Sequence, residues 1–362
     1  MRYLSFLYIF CCSLFCDNVA FAQTKTLYVG SYTKTDSKGI YQFSFDCATG
    51  ILKDKKLSYP VENPTFIVAH PTKDILYSIS KLNKYQQTAN GAVTAFKIGK
   101  KKELIKLSEH KTNGKSPCHL AYNDTTKQLF VSNYQGGTLS IHPTDTNGNL
   151  LEASQIIDFN STTTKAHTHA AKYRNKELFV ADLGVNTVTH YALKKGKYEC
   201  LQNIPFKENS GPRHLELTED GRFIYVINEY ASSISVLEKK GRKYKIKQDI
   251  STLVPGFKDK NTAADIHLSA DEKYVYGTNR GENTLVVFER DLKKGTLTKI
   301  QSVGTRGECP RNFTFDPTGK YLLIANKISN SIAVFDVDKK SGKIKFKHST
   351  KSPMPTCLTF VY

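Results

Sequence analysis

Near its C-terminus the chain reads PTCLTF over residues 355–360, and near its N-terminus it reads TLYVGSY over residues 26–32. Placed side by side, the two pieces reproduce a unit that occurs intact six times between them. Each intact unit is an apolar strand, a turn rich in Lys, Asp and Gly, and a second strand that ends in a short polar residue. The intact copies cover residues 66–80, 119–133, 169–182, 214–228, 265–279 and 312–326. We therefore expect the two ends of the chain to complete a seventh copy together.

Two further strands follow each copy. The third has the alternation of a half-buried strand, as in NTVTHY over residues 186–191, and the fourth is more polar, as in LTKI over residues 297–300. Four-stranded units repeated at intervals of about 50 residues are typical of propeller blades, which bury their faces only against neighbouring blades. The sequence predicts an all-β fold, a seven-bladed β-propeller with four antiparallel strands per blade. We expect residues 23–362 to form this single domain.

The first 22 residues have the pattern of a secretory signal peptide. Arg2 precedes an apolar run over residues 3–15, and Ala20-Phe21-Ala22 provides a small-residue cleavage site. The apolar run is too short to span a bilayer, so no integral membrane segment is expected after cleavage following Ala22. The sequence thus predicts a secreted or periplasmic protein.

The net charge of +19 is spread around the repeat. Lysine runs at residues 100–102, 194–197, 239–243 and 339–340 fall between the third and fourth strands of successive blades, where charge protects exposed strand edges from pairing. No aromatic residues interleave them as a base-stacking platform requires, so we expect no nucleic-acid partner.

Removal of residues 1–22 leaves five cysteines, Cys47, Cys118, Cys200, Cys309 and Cys357. The odd number and the absence of a C-x-x-C pair indicate neither a zinc site nor a dense disulfide framework. The sequence leaves room for one disulfide bridge. Cys118 and Cys357 belong to blades that are separated around the ring, which argues against a bridge between these two.

Polar and charged residues concentrate where the inner strands begin and where the second strands end, two places that meet at one mouth of a propeller. The inner-strand starts carry His119, His167, His169, Arg213, His214, Asp265 and Arg311, and the residues just past the second strands are Tyr32, Lys81, Tyr134, Leu183, Glu229, Arg280 and Lys327. The strands themselves are filled with Leu, Ile, Val and Phe. Packing alone does not explain this asymmetry, so we expect a ligand site at the mouth.

Several of these stretches resemble the seven-bladed propeller lactonase family, which includes the bacterial propeller type of 6-phosphogluconolactonase and the fungal carboxymuconate lactonizing enzymes. They are YVGSYT at 28–33, GPRHL at 211–215, VINE at 226–229, ADIHLS at 264–269, GTNRG at 277–281 and PRNFTFDPTG at 310–319. The resemblance covers nearly all of residues 26–360. It implies a carboxylic ester hydrolase, 6-phosphogluconolactonase-like, that acts on a small-molecule lactone without a metal or other cofactor.

The resemblance places the family's active-site arginines at Arg213 and Arg280, its glutamate at Glu229 and its histidine at His169. His167 is the first residue of the same H-x-H stretch. The following turn, residues 172–176, lacks the usual D-P-x-G, and the choice between His167 and His169 stays open.

These residue types suit lactone hydrolysis, which needs a base for water, positive charge for the oxyanion and a proton for the leaving alkoxide. Glu229 is the candidate base, Arg213 and Arg280 the clamp for the developing charge, and His169 the acid or an orienting donor. The candidate substrate-binding residues are His119, His167, His214, Asp265 and Arg311.

Other hypotheses remain open. A propeller could use the same mouth, without catalysis, to bind an anionic metabolite, a glycan or a peptide. A lactone-forming cycloisomerase would use the same arginines on a dicarboxylate. Glu229 between two arginines could instead be a structural ion network, and the inner-strand histidines could hold neighbouring blades. The sequence does not indicate an oligomeric state.

Overall fold

The structure, a computed structural model, describes residues 24–361, so the predicted signal peptide lies outside the described residues. The described chain folds into seven antiparallel sheets of four strands each. The strands are β1 (Thr24–Ser31), β2 (Gly39–Asp46), β3 (Leu52–Pro60), β4 (Ile67–Ala69), β5 (Ile75–Ser80), β6 (Ala92–Ile98), β7 (Leu104–Lys111), β8 (Pro117–Asn123), β9 (Gln128–Asn133), β10 (Thr138–Pro143), β11 (Gln155–Asp158), β12 (Thr168–Arg174), β13 (Glu177–Asp182), β14 (Thr187–Lys194), β15 (Lys197–Pro205), β16 (Pro212–Leu217), β17 (Phe223–Asn228), β18 (Ser233–Lys240), β19 (Lys243–Ser251), β20 (Thr262–Leu268), β21 (Tyr274–Arg280), β22 (Thr284–Arg290), β23 (Leu297–Gly304), β24 (Pro310–Phe315), β25 (Tyr321–Asn326), β26 (Ser331–Val337), β27 (Ile344–Lys351) and β28 (Pro355–Val361).

Blades 1 to 6 are consecutive groups of four strands, from β4–β7 to β24–β27, and blade 7 has the strand order β28-β1-β2-β3. The predicted all-β, seven-bladed propeller is therefore confirmed, with the innermost strand of each blade coming first within its group.

The ring closes by pairing of the two ends of the described chain. Strand β28 runs antiparallel to β1, with Leu27 opposite Phe360 and Val29 opposite Leu358. Gly30 is required at this seam, because a Cβ atom there would overlap the Pro64 carbonyl oxygen of blade 1. The sequence-based prediction of a seventh blade shared by both ends is confirmed.

Seven hydrophobic clusters fill the seven gaps between adjacent blades. Between blades 3 and 4, for example, Phe179 and Val188 pack against Ile224 and Val226. Between blades 6 and 7, Leu323 packs against Val29 and Leu358. Each blade is apolar on both faces, so burial depends on both neighbours and the ring is stable only when closed.

A polar residue at the end of the second strand fixes the loops around the mouth. Asn133, Asn279 and Asn326 donate from Nδ2 to the carbonyl oxygens of Thr112, Thr252 and Thr305, at 2.8, 3.1 and 2.9 Å. In blade 3 the equivalent carboxylate of Asp182 accepts the His167 backbone N–H at 2.9 Å. In these four blades the recurring column thus anchors the loop that leads into the inner strand.

The lysine runs lie in the hairpins between the third and fourth strands, as predicted. All five cysteines in the described part of the chain are free thiols. Residues 24–361 contain no helix that is long and apolar enough to cross a membrane.

Candidate active site

The candidate site lies at the mouth of the central channel, where strands of neighbouring blades present their ends. Arg213 belongs to the inner strand of blade 4, and Glu229 follows the second strand of the same blade. Arg280 ends the second strand of blade 5, and Arg311 lies at the start of the inner strand of blade 6. The fold therefore brings together four charged residues from three adjacent blades.

Glu229 forms ion pairs with two arginines through a single oxygen. Arg213 donates from Nε to Glu229 Oε2 at 2.8 Å, and Arg280 Nη2 lies 3.0 Å from the same oxygen. Within residues 24–361, Oε1 accepts no hydrogen bond. The Glu229 backbone donates to the Gly211 carbonyl at 2.6 Å and accepts from Ala263 N at 2.9 Å, which ties it to blade 5. One carboxylate oxygen is thus fixed while the other is left for a ligand.

Arg280 is held by the backbone of its own blade. Its Nη2 donates to the Ala263 carbonyl at 2.7 Å and its Nε to the Thr262 carbonyl at 3.4 Å. The next residue, Gly281, has a φ of 132°, and a Cβ atom there would overlap the Lys260 carbonyl oxygen. The N-R-G sequence therefore supplies a turn that only glycine fits, immediately beside the arginine.

The charges at the mouth shift one another's ionisation. Burial alone would raise the pKa of Glu229, but Arg280, Arg213 and Arg311 outweigh it and lower that pKa below its ordinary value. Burial, together with repulsion from Arg280 and Arg311, lowers the pKa of Arg213 to about 10. Glu229 is therefore a carboxylate and Arg213 a cation at neutral pH.

The two histidines of the H-x-H stretch both contact the ring of Tyr134. The His167 ring stacks on Tyr134, with centroids 4.6 Å apart, and its Nδ1 lies 3.0 Å from the Tyr134 carbonyl oxygen. Because a carbonyl only accepts, Nδ1 carries the hydrogen and Nε2 is the atom left for a ligand.

His169 is buried, with its ring edge against Tyr134 at 5.7 Å and beside His214 at 5.1 Å. Its Nδ1 makes no hydrogen bond to any residue in the described part of the chain. Burial, with nearby Arg213, lowers the pKa of His169 well below its ordinary value, so the ring is neutral.

Three of the predicted substrate-binding residues lie inside the channel rather than at the mouth. His119 packs between Phe66 and His214, with ring centroids 4.5 and 5.1 Å away. His214 and Asp265 are buried and bonded to each other. These three side chains line a cavity of about 340 Å³ that occupies the channel beyond the mouth. Arg311, by contrast, is half-buried at the mouth itself.

Sequence reasoning did not single out a cationic cluster beside Arg311. The ammonium groups of Lys81 and Lys327 lie 5.9 and 5.8 Å from the ring centre of Tyr32. Arg311, Lys81 and Lys327 form no ion pair with any carboxylate in the described part of the chain. Burial would raise the pKa of the Tyr32 phenol, but these three cations outweigh it and lower that pKa. The signal was present in the column of residues past the second strands, which contains Tyr32, Lys81 and Lys327.

No three His, Cys, Asp or Glu side chains among residues 24–361 are grouped to hold a metal ion. The chemistry available at the mouth comes from guanidinium, ammonium, carboxylate, phenol and imidazole groups. This set can bind an anionic group, stabilise an oxyanion and transfer a proton.

The fold and the mouth define a seven-bladed β-propeller with one cation-rich end of its central channel. The chain belongs to the seven-bladed β-propeller lactonase family, which it matches over residues 26–360.

Two relatives are named 6-phosphogluconolactonase. The Bacillus subtilis protein is 31% identical over 348 residues, which cover 92% of this chain and 98% of the relative. The Formosa agariphila protein is 31% identical over 336 residues, covering 88% and 94%. A solved structure described as the Pseudomonas aeruginosa periplasmic gluconolactonase is 27% identical, with a TM-score of 0.87 over 94% of this chain and 99% of that one.

Proposed function

We propose that the protein is an exported lactone hydrolase that opens a sugar-derived lactone carrying an anionic group, with water as nucleophile and without a metal ion. The observation that carries the proposal is the geometry of Glu229. Both arginines bind Oε2, and Oε1 accepts no hydrogen bond from residues 24–361. A carboxylate fixed in this way can take a proton from water while its arginines face the charge that develops.

In the proposed reaction Glu229 removes a proton from water, and the oxygen adds to the lactone carbonyl carbon. Arg213 and Arg280 stabilise the resulting oxyanion. The carbonyl re-forms, the ring C–O bond breaks, and the leaving alkoxide takes the proton from Glu229. The product is an open-chain hydroxy acid, which ionises to its carboxylate. Since His169 is neutral, its part in the proposal is a hydrogen bond to the substrate rather than donation from an imidazolium.

The lowered pKa of Glu229 limits its strength as a base. The same arginines that weaken the base stabilise the oxyanion, and charge stabilisation of this kind is usually the larger contribution to catalysis. A cyclic ester is also activated compared with an amide, so a weak base suffices. The arrangement therefore favours an ester-type substrate.

The cluster of Tyr32, Lys81, Lys327 and Arg311 supports an anionic group on the substrate. These cations lack carboxylate partners among residues 24–361, and Lys81 and Lys327 lie beside the Tyr32 ring. A phosphate or carboxylate at the far end of a sugar lactone would neutralise them. The names of the two curated relatives, 6-phosphogluconolactonase, favour the phosphate.

Export is supported by the signal-like residues 1–22 and by the description of the Pseudomonas aeruginosa relative as periplasmic. N-terminal sequencing of the protein from the culture medium or periplasm should begin at Gln23. Recovery of the full-length chain from the cytoplasm would contradict export.

The activity test uses the purified mature protein with δ-gluconolactone and 6-phosphogluconolactone, and follows acid release above the spontaneous rate, with and without EDTA. Wild type should exceed both Glu229→Gln and Arg280→Ala by about a hundredfold or more, and EDTA should have no effect. Glu238→Gln is the matched control, because Glu238 also has two cationic partners, Lys240 and Lys247, but lies near the end of β18 that points away from the mouth.

Equal rates for wild type and Glu229→Gln would remove the proposed mechanism. Anion binding that depends on Arg213, with no turnover by wild type, would instead identify a non-catalytic binding protein.

A further inference from the structure

Arg213 is held by three partners, one of which is a histidine. Besides Glu229, its Nη1 donates to the Ala264 carbonyl at 2.6 Å and to His214 Nε2 at 3.0 Å. The residue is 1% exposed, so these contacts fix the guanidinium almost completely. Arginine has only donors, and His214 Nε2 must therefore be an acceptor without a hydrogen.

The tautomer of His214 follows from this contact. With Nε2 unprotonated, the ring hydrogen is on Nδ1, which donates to Asp265 Oδ1 at 2.6 Å. Burial, with the charge of Arg213, lowers the pKa of His214 to about 4, so the ring is neutral at physiological pH. One imidazole thus accepts from the arginine on one side and donates to a carboxylate on the other.

Asp265 is surrounded by donors. Oδ2 accepts from Asn312 Nδ2 at 2.6 Å, from Phe313 N at 3.1 Å and from His267 Nε2 at 3.2 Å, and Oδ1 also accepts from Ile266 N at 3.1 Å. Only an ionised carboxylate satisfies all of these donors together with His214. Donors from blades 5 and 6 therefore keep Asp265 ionised, and the ionised carboxylate determines which nitrogen of His214 carries the hydrogen.

The chain of contacts continues away from the mouth and ends in a charge-neutral set. His267 lies between Asp265 and Glu216 Oε1, each 3.2 Å away, and Lys172 pairs with Glu216 Oε2 at 2.8 Å. Burial would lower the pKa of His267, but the two carboxylates raise it to about 10. The two cations and the two carboxylates of this set balance, and Asp265 connects the set to His214.

We propose that Asp265 and His214 are positioning residues for Arg213, with Asp265 fixing the His214 tautomer that accepts from the guanidinium. The claim rests on the proposed function, since it concerns an arginine of that reaction. In Asp265→Asn an amide N–H faces His214 Nδ1, which must then accept. The hydrogen of the His214 ring moves to Nε2, where it meets the N–H of Arg213. The guanidinium is then displaced, and displacements of about 1 Å in a positioning group cost on the order of a hundredfold in rate.

The first experiment does not depend on activity. Histidine labelled with ¹⁵N in the full mature chain reports the tautomer of each ring, and the His214 signals are assigned by their loss in His214→Gln. Wild type should have hydrogen on Nδ1 and a free Nε2. A His214 with hydrogen on Nε2 in wild type would overturn the proposal, even if the protein proves to have no lactonase activity.

The second experiment measures turnover. Asp265→Asn and His214→Phe should each lower kcat about a hundredfold with KM changed less than about threefold. The double variant should be no worse than either single variant, because both act through Arg213. His214→Gln, which keeps an acceptor near the Nε2 position, should recover to within about tenfold of wild type.

The matched control is Asp316→Asn. Asp316 is also buried and accepts several hydrogen bonds, but it closes the turn before β25, far along the blade from the mouth. Asp316→Asn should lower the melting temperature without the loss in kcat. If Asp265→Asn keeps kcat within threefold of wild type, or if its loss only matches that of Asp316→Asn, the positioning role is wrong.

Discussion

The two ends of the central channel hold the same kinds of charged side chain in opposite balance. At the far end, Lys172 and His267 face Glu216 and Asp265, so two cations meet two carboxylates. At the mouth, Arg213, Arg280 and Arg311 act on the carboxylate of Glu229, and two further cations, Lys81 and Lys327, lie beside Tyr32. The charges of the first set cancel, whereas the excess positive charge at the mouth favours binding of an anion.

The comparison is sharpest between two glutamates. Glu216 accepts on both oxygens, from His267 and Lys172 on Oε1 and from Lys172 on Oε2. Glu229 uses only Oε2 for its two arginines. Each carboxylate has two cationic partners. The two differ in Oε1 of Glu229, which accepts no hydrogen bond from residues 24–361.

The largest expected effect is a split between these two glutamates. Glu229→Gln should lower kcat/KM about a hundredfold or more, and it should also lower the melting temperature because Arg213 stays buried without its carboxylate partner. Glu216→Gln should keep activity within about fivefold while lowering stability, because Lys172 loses its carboxylate partner and His267 loses one of its two. Initial rates and thermal melts of both variants check the split, and an equal loss of activity in both would erase the distinction.

The cationic side of the mouth gives the next largest effect. Lys81→Ala and Lys327→Ala should each raise KM for 6-phosphogluconolactone about tenfold with little change in kcat, because the lost charge contacts a remote group of the substrate. KM for δ-gluconolactone should not change. A rim lysine such as Lys195, in the hairpin between β14 and β15, serves as the control. Equal effects on both substrates would mean that the cluster does not bind the anionic group.

The fold was almost fully predictable from the sequence, because the repeat places equivalent residues in equivalent strands. The split seventh unit is one example. PTCLTF and TLYVGSY each lack a partner strand in their own part of the sequence, and in the structure they pair with each other as β28 and β1. The same repeat logic placed Arg213, Glu229, Arg280 and Arg311 at one mouth.

What the repeat could not supply is which of these groups touch. The bond from His214 to Asp265 joins blades 4 and 5, and Asn312 of blade 6 completes it. Such contacts depend on the relative positions of neighbouring inner strands along the channel axis and on the side-chain rotamers. Neither is written in a hydrophobic pattern, so the sequence does not predict that His214 contacts both Arg213 and Asp265.

The pH dependence of stability distinguishes the far end of the channel. Lys172 and His267 lower the pKa of Glu216 from 4.5 to about 2, so its contribution is complete above pH 4.5 and is lost as the pH falls through about 2. The pKa of His267 is raised from 6.5 to about 10, so its contribution is complete below pH 6.5 and is lost as the pH rises through about 10.

Melting temperature should therefore be highest between about pH 4.5 and 6.5 and should fall on both sides. In Glu216→Gln the decline on the alkaline side should become shallower, because His267 loses one of its two carboxylates. Melts recorded across this range check it, and an unchanged alkaline decline in the variant would contradict the assigned pairing.

The smallest expected effect is that of salt. Raising ionic strength from about 0.05 to 0.5 M should lower kcat/KM for 6-phosphogluconolactone about threefold, because screening weakens attraction to the half-buried cations. The value for δ-gluconolactone should stay constant. A salt effect of the same size on the neutral lactone would mean that the cationic cluster does not cause the salt dependence.

The most direct measurement is a crystal structure of the protein with 6-phosphogluconate, the product of the proposed reaction. The phosphate should lie among Lys81, Lys327 and Arg311, with the new carboxylate beside Arg213 and Arg280 and within hydrogen-bonding distance of Glu229 Oε1. Product bound in the cavity at the far end of the channel, with the mouth left to water, would contradict the assignment of the mouth as the site of lactone opening.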